Sequence, residues 1–139
     1  MGGDLLRKVY TYCNESGALP VIDFINLAGK KFMKKFDFVL KYIQNEKECL
    51  CEPYVKHFSI EKYHALYELR LRINGTMIRV IFFLSDKGEI LLLHAFFKRD
   101  RRDTEKALEY ALKILNLIDT ENIDNNERIT EVIIKWQEL

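Results

Sequence analysis

Proline and glycine are scarce, two and six among 139 residues, which excludes a collagenous repeat or a low-complexity linker. No apolar run approaches the roughly 20 residues that a membrane-crossing helix needs, so no membrane partner is expected. The N-terminus has no basic stretch followed by an apolar one, and without an export signal a cytoplasmic protein is expected. Three cysteines, Cys13, Cys49 and Cys51, are odd in number and not framework-spaced, so reduced thiols are expected. A Gly-rich phosphate loop, a Gly-x-Ser-x-Gly elbow and a His-Glu-x-x-His pair are also missing. The common nucleotide-binding, serine-hydrolase and zinc-protease chemistries are thereby set aside, and no cofactor is expected. What is present is a 48% apolar, 31% charged chain, long enough to bury one core without staples.

Charge is balanced in total and uneven in distribution. Lysine and arginine number 22 and aspartate and glutamate 21, but residues 119–139 hold six acids against two bases. The tail is therefore −4 and residues 1–118 are +5. A basic body admits a polyanionic partner.

Periodicity gives the elements. Residues 8–13 alternate as a strand. Pro20 opens a short helix that Gly29 interrupts, and a second helix runs from Lys30 to about Glu46 with Phe32, Phe36, Val39, Leu40 and Ile43 on one face. Residues 47–62 read as a connection containing Pro53. Ala65–Ile73 and Thr76–Leu84 are strands around Asn74-Gly75, the strongest short hairpin signal, because both positions need positive φ. Glu89–Lys98 follows a second turn as a very apolar, central strand. Asp103 is placed to cap a helix to about Ile118. Ile129, Val132, Ile133 and Trp136 have helical spacing, so a final helix near 125–138 is expected. That order predicts an α+β domain with a small, mainly antiparallel sheet packed on helices. The acidic tail either packs on the body or lies across its basic face as a mimic of phosphate charge.

With a two-residue loop, Arg70 faces Arg79 directly, and Glu68 and Arg72 share the face. Like charges across a ladder are destabilising. The pair makes sense around an anion, which suits the planar fork of arginine, or else as a surface salt-bridge ladder neutralised by Glu68 and nearby acids. Lys98, Arg99, Arg101 and Arg102 follow at the end of the last strand. A two-residue second turn would bring His94, Phe96 and Lys98 onto the face of Arg79. A three-residue turn would bring Arg99 instead. Cys49-x-Cys51 with His57 and His64 superficially resembles a zinc cluster, at no established ligand spacing.

Tyr67-Glu68-Leu69-Arg70, Asn74-Gly75, Ile78-Arg79-Val80 and Leu92-Leu93-His94-Ala95-Phe96 with Lys98-Arg99 together resemble the signature of the RelE/HigB superfamily of toxins, in the branch with phage-derived members. The resemblance covers roughly residues 8–117. It implies a RelE-like toxin domain over residues 1–118, leaving 119–139 as an acidic helical extension. It further implies an endoribonuclease that cuts messenger RNA, usually on the ribosome and without a metal, inhibiting translation until a cognate antitoxin neutralises it. Arg70 and Arg79 match the family's sheet arginines and Lys98-Arg99 its basic pair. Two features depart from the pattern: residues 100–104 lack the branch's proline, and the tyrosine that some members carry near the start of the next helix has no aligned match, Tyr110 being displaced.

For the chemistry, Arg70 and Arg79 are expected to hold the phosphate, Lys98 or Arg99 to stabilise the transition state or protonate the leaving oxygen, Glu68 or His94 to act as base, and Arg72, His94, Arg101 and Arg102 to contact the RNA. A non-catalytic RNA- or protein-binding module of the same fold is the alternative. A metal enzyme using Cys49, Cys51, His57 and His64 is a third reading.

Overall fold

The computed structural model describes residues 6–45 and 50–132. Strand β1 (Val9–Tyr12) is buried along its whole length. Pro20 begins α1 (Pro20–Ala28), where its missing N–H is no loss and its fixed φ suits a helix. Gly29, at φ 115°, turns the chain into α2 (Lys30–Gln44), a conformation that side-chain-bearing residues rarely adopt. Then come β2 (Val55–His57), β3 (Leu66–Ile73), β4 (Thr76–Leu84), β5 (Ile90–Phe97), α3 (Arg101–Asn116) and β6 (Ile129–Val132).

The strands form one sheet in the order β2-β3-β4-β5-β1-β6. Every neighbouring pair is antiparallel except β1 with β5. Alternation sends side chains to two cores. On one face Val80, Phe82 and Leu92 meet Val21, Ile25, Phe36 and Leu40 of α1 and α2. On the other, Ile81, Leu91 and Leu93 meet Leu108, Ala111 and Ile114 of α3. This is the expected α+β class with a mainly antiparallel sheet, and β5 does lie inside it. No helix among the described residues is long and apolar enough to cross a membrane.

Four local expectations need correction. The 47–62 connection contains β2, an edge strand of three residues, too short to show a period. Asp103 is not the cap of α3. Asp100 is, accepting from the Arg102 N–H at 2.8 Å, while Asp103 three residues on accepts from the N–H groups of Arg99 and Asp100 at 2.8 and 3.0 Å. The two acids form a reciprocal capping box.

The β4–β5 register combines the two turn alternatives. Ser85 pairs through its backbone with Glu89 around a three-residue loop, but a register shift between Ile81 and Phe82 restores the pairing of Arg79 with Phe96.

The largest correction concerns the tail. Ile129–Val132 is not helical but a strand, antiparallel to β1 and paired Tyr12 with Ile129 through Val9 with Val132. Ile-Thr-Glu-Val is rich in β-branched residues, which are stiff in helices and fit a pleated edge, and β1 offers it a free ladder. A strand on β1 also places this segment at the opposite edge of the sheet from β2 and β3, so through Val132 it does not cross the arginines. Ile133 and Trp136 lie outside the described residues.

The burial pattern of α2 predicts contrasting substitutions. Phe36 is 1% exposed and Phe38 52%. Urea denaturation should show Phe36→Ala losing about 3–5 kcal/mol and Phe38→Ala within about 0.5 kcal/mol of the parent. Equal losses would contradict this packing of α2.

Candidate phosphate-binding site

Asn74 and Gly75 take φ values of 50° and 86°, so β3 and β4 join through a two-residue turn. Ile73 therefore pairs with Thr76, and Arg70 stands directly opposite Arg79. The like-charged pair does not stand bare. Glu68, two residues back on the same face and 1% exposed, places Oε1 3.2 Å from Arg70 Nε and 3.4 Å from Arg79 Nε. The first contact is a hydrogen bond; the second is an ion pair without hydrogen-bond geometry. Glu52 adds a contact to Arg70 Nη1 at 2.8 Å from an exposed position, and such exposed pairs contribute little.

Arg79 is itself buried, and its Nη2 donates weakly to Met77 Sδ at 3.6 Å. Burial pulls its guanidinium below the usual arginine value; Glu68 opposes this, and Arg70 and Arg72 add to it. An arginine still keeps its proton. A single buried carboxylate thus faces two guanidinium groups, with Arg72 close by, and the excess charge is positive.

These arginines wall a cleft of about 300 Å³, completed by Lys35, Pro53, Tyr54 and Met77. Lys35 and Tyr54 were not among the residues singled out from the sequence. Lys35 sits off the core face of α2, and Tyr54 precedes β2; neither position carries a local signal of meeting the hairpin.

The other candidates lie around this cleft. His94 pairs with Ile81, Phe96 with Arg79, and the Lys98 N–H donates to the Met77 carbonyl. His94, Phe96 and Lys98 are thus on the arginine side of the sheet, as the two-residue-turn alternative expected. His94 is half-buried beside Tyr110 of α3, with ring centroids 4.6 Å apart, and burial holds its imidazole below the usual value. The two residues share a second depression with Phe96, Asp103 and Lys106. Tyr110, displaced in sequence, reaches this face through α3. Lys98 Nζ donates to Thr104 Oγ1 at 2.8 Å, and neither it nor Arg99 lines the arginine cleft. Arg99, Arg101 and Arg102 are exposed around the start of α3, where Asp100 accepts from the Arg102 N–H and Asp103 from the N–H groups of Arg99 and Asp100 that precede the helix.

The proposed zinc cluster does not assemble from the described residues. His57 stacks on Tyr67 and its Nε2 lies 2.5 Å from the His64 carbonyl, while His64 Nδ1 lies 2.7 Å from the Glu61 carbonyl. No group of three His, Cys, Asp or Glu among the described residues could hold a metal ion. Cys49 lies outside them.

A family model described as "Phage derived protein Gp49-like (DUF891)" matches residues 23–116, a span running from α1 to the end of α3 and containing the whole cleft. No curated protein matches the chain.

Two measurements check the site's electrostatics. Glu68→Gln keeps the shape and removes the buried charge, so chemical denaturation should show a loss of about 3–5 kcal/mol. Inorganic phosphate should restore part of that loss by binding the folded form, and no loss would mean that Glu68 does not hold the pair. For His94 the folded chain resists a proton that the unfolded chain accepts. Its contribution is fully present above the ordinary imidazole value of about 6.5 and declines as pH falls below it, by at most about 1.4 kcal/mol per pH unit. His94→Phe should flatten that acid limb, and an unchanged limb would show that another group titrates.

Proposed function

The chain belongs to the Gp49-like family of phage-derived proteins, and from that premise we propose that it is the toxin of a toxin–antitoxin pair, an endoribonuclease that cuts messenger RNA and so inhibits translation. The observation that carries this reading is Arg70 set against Arg79 in an open cleft, with one carboxylate shared between them. The RelE/HigB resemblance of the hairpin and of Leu92–Phe96 supports it.

RNA supplies its own nucleophile. The 2′-oxygen bonds to phosphorus, the bond from phosphorus to the 5′-oxygen breaks, and a cyclic phosphate and a 5′-hydroxyl result. The enzyme must orient the phosphate, remove one proton, donate another, and stabilise the charge gathering on the phosphate oxygens. Arg70 and Arg79 hold those oxygens, pre-aimed by Glu68, which is where fixed donors contribute most. Glu68 is enclosed and doubly paired, so it serves as a positioning residue rather than the base. His94, kept neutral by burial, is in the form that accepts a proton. Lys98 or Arg99 stabilises the charge on the leaving oxygen, and of the two only the Lys98 ammonium can also protonate it. Arg72, Arg101 and Arg102 extend the basic surface along the backbone. In this account the reaction needs no metal, the ribosome presents the messenger, and a cognate antitoxin brings acidic residues to the same face in the cytoplasm.

The position of Lys98, tied to Thr104 outside the cleft, also favours a second reading, a module of this fold that binds RNA without cutting it. Mapping messenger RNA ends after induction of the protein alone separates the two: new ends support the nuclease, binding without them the module. Arg70→Ala and Arg79→Ala should each lower cleavage about 10²–10³-fold and relieve growth inhibition, in chelator as in its absence. Lys87→Ala, at the far turn of the sheet, should leave both unchanged. Undiminished cleavage by both arginine variants would refute the site.

A further inference from the structure

Helix α2 carries five lysines and a single acid, Asp37. Its core face is formed by Phe32, Phe36, Val39, Leu40 and Ile43, and Phe38 lies well off that face, 52% exposed. Tyr42, one turn further along, is also exposed. Tyr54 reaches both from the segment before β2, its ring centroid 5.9 Å from that of Phe38 at 76° and 5.2 Å from that of Tyr42 at 63°. Lys35 Nζ stands 5.8 Å from the Phe38 ring centroid and 5.7 Å from that of Tyr54. Single exposed aromatics are ordinary. Here three rings are clustered, Lys35 stands against two of them, and two of the participants, Lys35 and Tyr54, are also walls of the arginine cleft. The strip is continuous with the place where a phosphate would be held.

Rings beside cations are the combination that binds single-stranded nucleic acid, since every base offers a face for stacking and every linkage a negative charge. A duplex would present its grooves and backbone to this strip and keep its base faces stacked inside. We propose that Phe38, Tyr54 and Lys35 form a stacking platform for a base of single-stranded RNA flanking the phosphate held by Arg70 and Arg79. The proposal rests on the RNA reading of the arginine cleft and adds to it a second contact point, on the helix side of the molecule. Lys35 follows the backbone as it leaves the cleft, and the exposed Phe38 ring takes the base.

Two probes test the platform on the full-length chain: an eight-nucleotide 2′-O-methyl RNA, which lacks the nucleophile and stays intact, and an abasic oligonucleotide of the same length. Fluorescence anisotropy at one salt concentration gives both affinities. Phe38→Ala should weaken the base-bearing probe about tenfold and leave the abasic probe unchanged, with the melting temperature of the parent retained. Phe38→Trp should restore binding, and the emission it adds to that of Trp136 should be quenched by the base-bearing probe alone. If Phe38→Ala binds the base-bearing probe as the parent does, or loses both probes equally, the platform is overturned; the first result would leave the rings as a surface for another class of partner. Failure of the arginine reading looks different: the parent then does not bind the abasic probe, or Arg70→Ala binds it undiminished. If the parent binds neither probe, both proposals fall.

Discussion

Two guanidinium groups face each other across an antiparallel ladder, and the surrounding structure is arranged to tolerate them. The turn at Asn74-Gly75 leaves no freedom in that pairing, because shifting the hairpin by one residue would send Leu69, Leu71, Ile78 and Val80 out of the core. The hydrophobic pattern and the charge conflict are therefore locked together. Glu68 resolves the conflict only in part. It is buried against both arginines, but it brings one negative charge to two positive ones. A buried carboxylate with neighbours on both sides fixes the two forks in place, and the remaining positive charge is directed at the cleft.

A site of this kind acts by being rigid, since donors that need not reorganise stabilise a developing charge best. The rigidity has visible sources. β3 and β4 lie within the sheet and are backed by the core under α1 and α2, while α3 packs on β4 and β5 from the other side. The register shift near Ile81 matters equally. It permits a three-residue turn at one end of β4–β5 while keeping Phe96 opposite Arg79 at the other, so that His94 and Lys98 stay on the working face. β6 closes the far edge by covering β1, away from the arginines.

Local signals in the sequence accounted for most of this. Asn74-Gly75 is a two-residue instruction that determines the pairing of the whole hairpin, and with it the meeting of Arg70 and Arg79. The α2 face repeats over four turns and shows clearly. The register shift was not legible, because Ile90–Leu93 is apolar at every position and carries no alternation to break. The tail misled because Ile129 and Val132 satisfy a helical spacing as well as a strand, and the deciding factor is an open edge on β1, more than a hundred residues away. Lys35 and Tyr54 escaped notice for the same reason. Their place in the cleft depends on how α2 and the segment before β2 converge on the hairpin, which is a property of the tertiary structure.

The central claim is that Arg70 and Arg79, held by Glu68, together grip one phosphate group. The most direct test is guanidinium ¹⁵N NMR of the arginine side chains during titration with a 2′-O-methyl dinucleotide, which carries a single internucleotide phosphate and cannot be cut. The account predicts that the Arg70 and Arg79 Nε–H resonances move together, with one midpoint, while Arg101 and Arg128 stay in place. Movement at Arg101 with Arg70 and Arg79 unchanged would contradict it.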